Sequence, residues 1–204
     1  MDSAKDKNGK TEEQFLREYD VTKYFLPSVT VDTVLFSFDG KRGKVLLIKR
    51  GGHPFIGCWA FPGGFVDKDE TCETAAAREL AEETGITGIP LRQLAAVSAP
   101  DRDPRWRNIG VVFCARVNGE LAAEGGDDAS AAEWFDFTFD ARGNTVKLEF
   151  RGGGQKFSAT VEAARDAFGR IDINNSVIKD RGRVAFDHAK IICYLADAVI
   201  RGEV

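Results

Sequence analysis

An α/β layered fold is expected from three observations. Runs rich in β-branched and aromatic residues recur along the chain, helical stretches flank them, and glycine- or proline-rich turns separate them. A polar helix candidate, Glu12 to Tyr19, comes first. SVTVDTVLFSF (Ser28–Phe38) reads as a strand, DGKRG as a turn and KVLLIKR (Lys44–Arg50) as a second strand. The loop GGHPFIGCWAFPGG leads into a helix with Thr71 as N-cap, Glu73 in its first turn and Gly85 as its C′ residue. LRQLAAVSA, NIGVVFCARV and AAEWFDF read as three further strands. DHAKIICYLADAVIRG reads as an amphipathic helix, with Asp187 as N-cap and Ile191, Ile192, Leu195 and Val199 as its apolar stripe.

Between Phe137 and Val184 the text changes. TVKLEF–RGGG–QKFSAT suggests a hairpin, VEAARDAF a short helix, and GRIDINNSVIKDRGR a turn-rich stretch. Residues 138–184 are therefore read as an insertion before the last helix. Residues 1–13 read as a mobile N-terminal tail, and 14–204 as a single domain.

Hydrophobic content of 43% and charged content of 29% suit a soluble globular chain. A net charge of −4 argues against nucleic acid as the main partner, because phosphate binding needs a basic footprint. Cys58, Cys72, Cys114 and Cys193 form no CxxC pair, which argues against a zinc site and points to a reducing, cytoplasmic compartment. The charged start lacks a secretory h-region, and no apolar run is long enough for a membrane span.

The stretch with the most chemistry is GGFVDKDETCETAAARELAEETGI, Gly63 to Ile86. At about 100° per residue, Glu79, Glu82 and Glu83 fall within an arc of roughly 100°, with Arg78 at its edge. Ala77, Leu80, Ala81 and Thr84 fall opposite, as the expected core face. Like charges at this spacing repel by a few tenths of a kcal/mol per pair. A solvated acidic face is one explanation. Divalent cations are the other, since Mg²⁺ and Mn²⁺ prefer carboxylate, carbonyl and water oxygens.

The spacing Gly64, five residues, Glu70, seven residues, then Arg78-Glu79-Leu80-x-Glu82-Glu83-x-Gly85-Ile86 resembles a complete Nudix box. A chance match is on the order of 10⁻⁹ per starting point at average residue usage. The resemblance implies an α/β/α sandwich around a mixed sheet, and hydrolysis of a nucleoside diphosphate linked to another moiety. It implies that Glu79, Glu82, Glu83 and the Gly63 carbonyl bind Mg²⁺ or Mn²⁺, that Arg78 orients the glutamates, and that Glu70 and Gly85 are structural. The general base varies within the family; Glu133, in AAEWF, and Glu79 are the candidates.

YDVTKYFLPSVTVDTVLF, HPFIGCWAFPGGFVD, APDRDPRWR and VAFDHAKII are similar to the ADP-ribose pyrophosphatase branch. That similarity implies ADP-ribose cleavage to AMP and ribose 5-phosphate, and a homodimer. Phe55, Trp59 and Trp106 are candidates for stacking a base. Arg50, Arg102 and Arg105 are candidates for phosphate or ribose contacts, through the bidentate geometry of guanidinium. Damaged nucleoside triphosphates or sugar nucleotides are alternative substrates for the same glutamates. A non-catalytic ADP-ribose-sensing regulator is the alternative of a different class; the intact box and the end of the chain just after the last helix oppose it.

Overall fold

β-branched and aromatic residues crowd Ser28–Phe38, and this run forms β1, buried without interruption from Thr30 to Phe36. Such continuous burial marks a strand covered on both faces. The computed structural model describes residues 4–126 and 129–204. After β1 come β2 (Arg42–Arg50), β3 (Trp59–Ala60), β4 (Arg92–Val97) and β5 (Asn108–Arg116). β6 (Ala129–Arg142), β7 (Thr145–Gly152), β8 (Gln155–Arg165) and β9 (Ile171–Asp180) follow. They build one mixed sheet in the order β4-β5-β1-β2-β6-β7-β8-β9, with β3 on β2. Among the described residues, only the β1–β5 strand pair within it is parallel. The helices are α1 (Glu12–Glu18), α2 (Cys72–Thr84) and α3 (His188–Ile200).

α2 covers one face through Ala75, Ala76, Leu80 and Thr84. Leu80 meets Leu35 of β1 and Leu46 of β2 in one cluster. On the other face α3 is buried at 10 of its 13 residues, more than a helix lying on an open sheet would hide. The sheet curls around it. Ile191, Ile192 and Leu195 share a cluster with Val97 of β4, Phe135 of β6, Leu148 of β7 and Ile173 of β9. Curling brings the edge strands together: Asn174 accepts from Ser98 N at 2.6 Å and donates to Ala96 O at 3.4 Å.

Residues 138–184 thus continue the main sheet as β6–β9 rather than decorate it. The hairpin expected there is β7–β8. The short helix expected over VEAARDAF is instead the end of β8, with Val161 and Ala163 buried and Glu162 exposed between them. Period-two burial against α3 overrides the helical preference of its alanines. The stretch expected to be turn-rich contains β9, whose pairing with β8 is broken by two irregularities.

At the other terminus, residues 1–3 of the expected tail lie outside the described residues. α1 starts at Glu12 behind a capping box of Thr11 and Gln14, and it buries no residue. No helix among the described residues is long and apolar enough to cross a membrane.

Asp197 of α3 links the helix to the insertion. Its carboxylate accepts from Ile171 N at 3.2 Å, Arg165 Nη1 at 3.3 Å and Arg201 Nε at 3.0 Å. Removing it strands the buried Ile171 N–H, so Asp197→Ala should cost about 2–3 kcal/mol in urea-denaturation stability. A loss near zero would show that the insertion does not lean on this carboxylate.

Candidate active site

The local chemistry of α2 sets the site. Thr71 Oγ1 accepts from Thr74 N to start the helix, and Gly85, in the left-handed region at φ 72°, ends it. The buried face differs from the expected one: Ala77 is exposed, while Ala75 and Ala76 are buried, and Glu83 is 6% exposed on the same side. A carboxylate is tolerated there because a glycine turn, not an apolar side chain, lies opposite. Gly63 N–H donates to Glu83 Oε2 at 2.8 Å. A β-carbon on Gly64 would collide with the Glu79 carboxylate and push it out of its present place.

The turn itself is fastened to β1: Val31 N–H donates to Gly64 O at 2.9 Å, and Thr33 N–H to Pro62 O at 2.8 Å. Arg78 holds the carboxylates together. It donates to Glu70 through Nε (3.2 Å) and Nη2 (2.6 Å), and through Nη1 to Glu79 (2.9 Å) and Glu82 (3.0 Å). Glu70 also accepts from Asp67 N, and its carboxyl lies below the ordinary value because of Arg78 and that backbone bond. Glu79 lies above it, because burial outweighs the help from Arg78.

Arg78, Glu79, Glu82 and Glu83 line a cleft of about 380 Å³ together with Arg50, Asp32, Arg102, Asp103, Arg105, Phe65, Phe186 and His188. Arg105 is gripped by Asp103 at 3.0 and 2.8 Å and lies over the rings of Phe65 (5.4 Å) and Phe186 (5.8 Å). Arg50 donates to Pro54 O at 2.8 Å and lies 4.9 Å from the Phe186 ring centre. Phe186 thus carries two guanidiniums, an arrangement favourable by cation–π attraction. Its backbone is left-handed, φ 47°, rare for a non-glycine residue and kept only where the surroundings enforce it.

Several expected contacts move. Arg102 is on the cleft floor but its side chain is only 5% exposed. Nε and Nη2 pair with Asp187 at 3.0 and 2.9 Å, Nη1 with Asn108 at 2.6 Å, and Nη2 with Asp32 at 3.4 Å. It is a strut, not an open phosphate contact. The same bonds explain why Asp187, expected to cap α3, makes no side-chain cap. Trp59 is 1% exposed, packed on Phe135 and bonded to Gln155, so it cannot stack a base. Trp106 is 59% exposed but stacks on Phe25 and does not line the cleft. Phe55 packs edge-on against Phe186 at 4.8 Å, behind the lining.

Glu133 is not brought to the cleft. In β6 it pairs with Leu47, whereas Trp134 pairs with Leu46 and joins the cluster under α2. Strand alternation turns Glu133 to the other face, where it lies beside Gly153. Asp32, Phe65, Asp103 and Phe186 are among the lining residues that sequence reasoning did not single out. A lone aspartate in the apolar run SVTVDTVLFSF was the available signal for Asp32; for Phe186 the signal was only its place in VAFDHAKII.

Oxygen donors alone, with backbone packed against two of them, suit a hard divalent cation. As they stand, no three such groups among the described residues converge to hold a metal ion. Arg78 occupies Glu79 and Glu82, and the Gly63 amide occupies Glu83. The donor set fits; filling it requires carboxylates to turn from Arg78, and Glu82, 43% exposed, has room to do so.

Burial pushes the Asp32 carboxyl up, but His188 and Arg102 together hold it below the ordinary aspartate value. A lowered folded-state value adds stability that is complete above the unfolded pKa of about 4 and fades as the pH falls through the folded value. Asp32→Asn should therefore flatten the acid limb of the stability–pH curve below about pH 4, followed by urea denaturation at stepped pH. An unchanged limb would contradict this.

Comparison with known proteins fits this geometry. The NUDIX domain model matches residues 26–142. The chain is 45% identical over 141 residues to an ADP-ribose pyrophosphatase of Methanocaldococcus jannaschii, covering 67% of this chain and 77% of that protein. It is 36% identical over 129 residues to the ADPR responsive transcriptional repressor NtrR of Acinetobacter baylyi, covering 62% of this chain and about half, 52%, of the repressor. The crystal structure of a MutT/nudix family protein from Enterococcus faecalis superposes with a TM-score of 0.68 at 33% identity, covering 94% of this chain and 70% of that one. At that coverage most of residues 138–184 has a counterpart there. The NUDIX domain of Shewanella oneidensis NrtR, complexed with ADP ribose, superposes with a TM-score of 0.55 at 35% identity, covering 61% and 82%. With the family model matched over more than half its length and every position of the box in place, the chain belongs to the NUDIX family and is a Nudix hydrolase.

Proposed function

We propose that this chain hydrolyses the pyrophosphate bond of ADP-ribose to AMP and ribose 5-phosphate, with Mg²⁺ or Mn²⁺ as cofactor. One observation carries this: a single cleft is lined by the three glutamates of α2 and by two arginines gathered on Phe186. A diphosphate joining a nucleoside to a second sugar presents anionic oxygens to both sides at once. Glu79, Glu82, Glu83 and the Gly63 carbonyl would hold the cation, which would supply Lewis acidity toward the phosphoryl oxygens and promote ionisation of the attacking water.

The chain's own residues do the rest. Arg78 orients the glutamates through charge-assisted hydrogen bonds. Arg50 and Arg105 hold phosphate and ribose oxygens, with Phe186 and Phe65 as the apolar floor beneath them. Glu79, which lines the cleft, takes the proton from the attacking water in place of Glu133. The ADP-ribose pyrophosphatase activity named for the Methanocaldococcus relative, and the ADP ribose in the Shewanella domain, support this substrate. Similarity to the Acinetobacter repressor favours a second possibility, a regulator that binds ADP-ribose in the same cleft without cleaving it. Four free cysteines suit the reducing conditions of the cytoplasm.

We also propose that the chain pairs with a second copy of itself. Phe15, Leu16, Tyr19, Tyr24, Phe25 and Leu26 are all exposed, a run of apolar surface that monomers rarely present. Size exclusion with light scattering should give twice the chain mass; the mass of one chain would count against it.

A panel of ADP-ribose, NADH, sugar nucleotides and damaged nucleoside triphosphates, with Mg²⁺ or Mn²⁺ and product chromatography, tests the activity. AMP and ribose 5-phosphate should form from ADP-ribose, and Glu83→Gln should lower turnover by orders of magnitude while the protein still melts cooperatively. Turnover of a triphosphate alone would sink the ADP-ribose assignment. Sequence-specific gel shifts with no hydrolysis of any compound would favour the regulator.

A further inference from the structure

His188 is absent from the Nudix box, lies at the start of α3 and is almost wholly buried, yet it borders the cleft. Its Nδ1 accepts a hydrogen bond from Phe61 N–H at 3.0 Å, so in the neutral ring the proton sits on Nε2. Nε2 lies 3.3 Å from Asp32 Oδ1. The imidazole also stacks on the Phe61 ring, 4.7 Å between centroids and 14° between planes. Phe61 stands two residues before Gly63, whose own N–H holds Glu83. Arg102 bonds both Asp32 and Asp187, so Asp32, the ring's partner on β1, is itself tied to the residue ahead of α3.

The glycine turn is therefore fastened on two sides. β1 takes the carbonyls of Pro62 and Gly64, and His188 takes the amide of Phe61. We propose that His188 is a positioning residue: through Phe61 it fixes the distance of the Gly63–Gly64 backbone from Glu79 and Glu83, and so sets how tightly the cleft takes a divalent cation. This rests on the assignment of those glutamates as cation ligands. A residue that acts only on folding would affect the site in proportion to stability; a positioning residue acts through one bond.

The two ring nitrogens allow that bond to be isolated. The side-chain oxygen of Asn occupies the place of Nδ1, so His188→Asn keeps an acceptor for Phe61 N–H and loses Asp32. The longer amide of Gln reaches the place of Nε2, so His188→Gln keeps Asp32 and loses Phe61. Mn²⁺ binding to the full chain, without nucleotide, is read by electron paramagnetic resonance, with melting temperatures alongside. His188→Asn should bind Mn²⁺ as the wild type does. His188→Gln should bind it roughly 10–100-fold more weakly, the usual effect of removing an outer-shell partner. Equal binding by both variants, or losses that follow their melting temperatures, would overturn the proposal. Absence of Mn²⁺ binding to the wild type would instead overturn the cation assignment beneath it. Because a variant could fail to fold, ¹⁵N spectra of the wild-type imidazole give a second test: the Nδ1 resonance should move on titration with Mg²⁺ alone. A stationary resonance while Mg²⁺ binds would overturn the proposal.

Discussion

Three carboxylates within two turns of one helix, facing a glycine turn, form the constraint on which the rest of this molecule depends. Their mutual repulsion has to be offset in every state. Without a cation the offset comes from one guanidinium: Arg78 reaches Glu70, Glu79 and Glu82 together, while Glu83 is bonded by the Gly63 amide. Around that arrangement the local sequence has few alternatives. A side chain at Gly64 would displace Glu79, and one at Gly63 would run into the Val31 carbonyl. The same close approach that excludes side chains lets the Gly63 backbone N–H reach the Glu83 carboxylate.

A second, buried set of charges holds the rest of the cleft. Arg102, Asp32, Asp187, Asn108 and His188 join β1, the loop after β4 and the start of α3. Breaking one partner of such a set leaves an uncompensated buried charge, which makes the set rigid rather than merely favourable. The insertion works toward the same end. β9 runs into the segment 181–187, whose backbone pairs with Trp59: Trp59 N–H donates to Arg183 O, and Ala185 N–H to Trp59 O, both at 2.8 Å. That strap delivers Phe186 to Arg50 and Arg105. The insertion thereby helps to place a lining residue of the cleft as well as to wrap α3.

Local patterns were legible and long-range partnerships were not. Spacing alone places Glu79, Glu82, Glu83 and Arg78 on one side of a helix, and Thr71 and Gly85 at its ends, because these depend on residues a few positions apart. Trp59 reads as a loop aromatic because it lies between glycines and prolines, but pairing with β2 and packing on Phe135 draw it into the core. Arg102 reads as a phosphate ligand because its partner Asp187 is 85 residues away. Glu133 is misplaced by one step of strand register, which moves a side chain to the opposite face. The end of β8 is alanine-rich and looks helical until its burial period of two against α3 is visible.

In the proposed reaction, water attacks phosphorus in the pyrophosphate of ADP-ribose under control of a divalent cation. Hydrolysis in ¹⁸O-enriched water, followed by ³¹P NMR of the products, tests it most directly. One ¹⁸O should appear on the phosphate of a single product, AMP or ribose 5-phosphate, and only when Mg²⁺ or Mn²⁺ is present. Label on a sugar carbon with none on phosphate, or the same phosphate labelling in excess chelator, would contradict it.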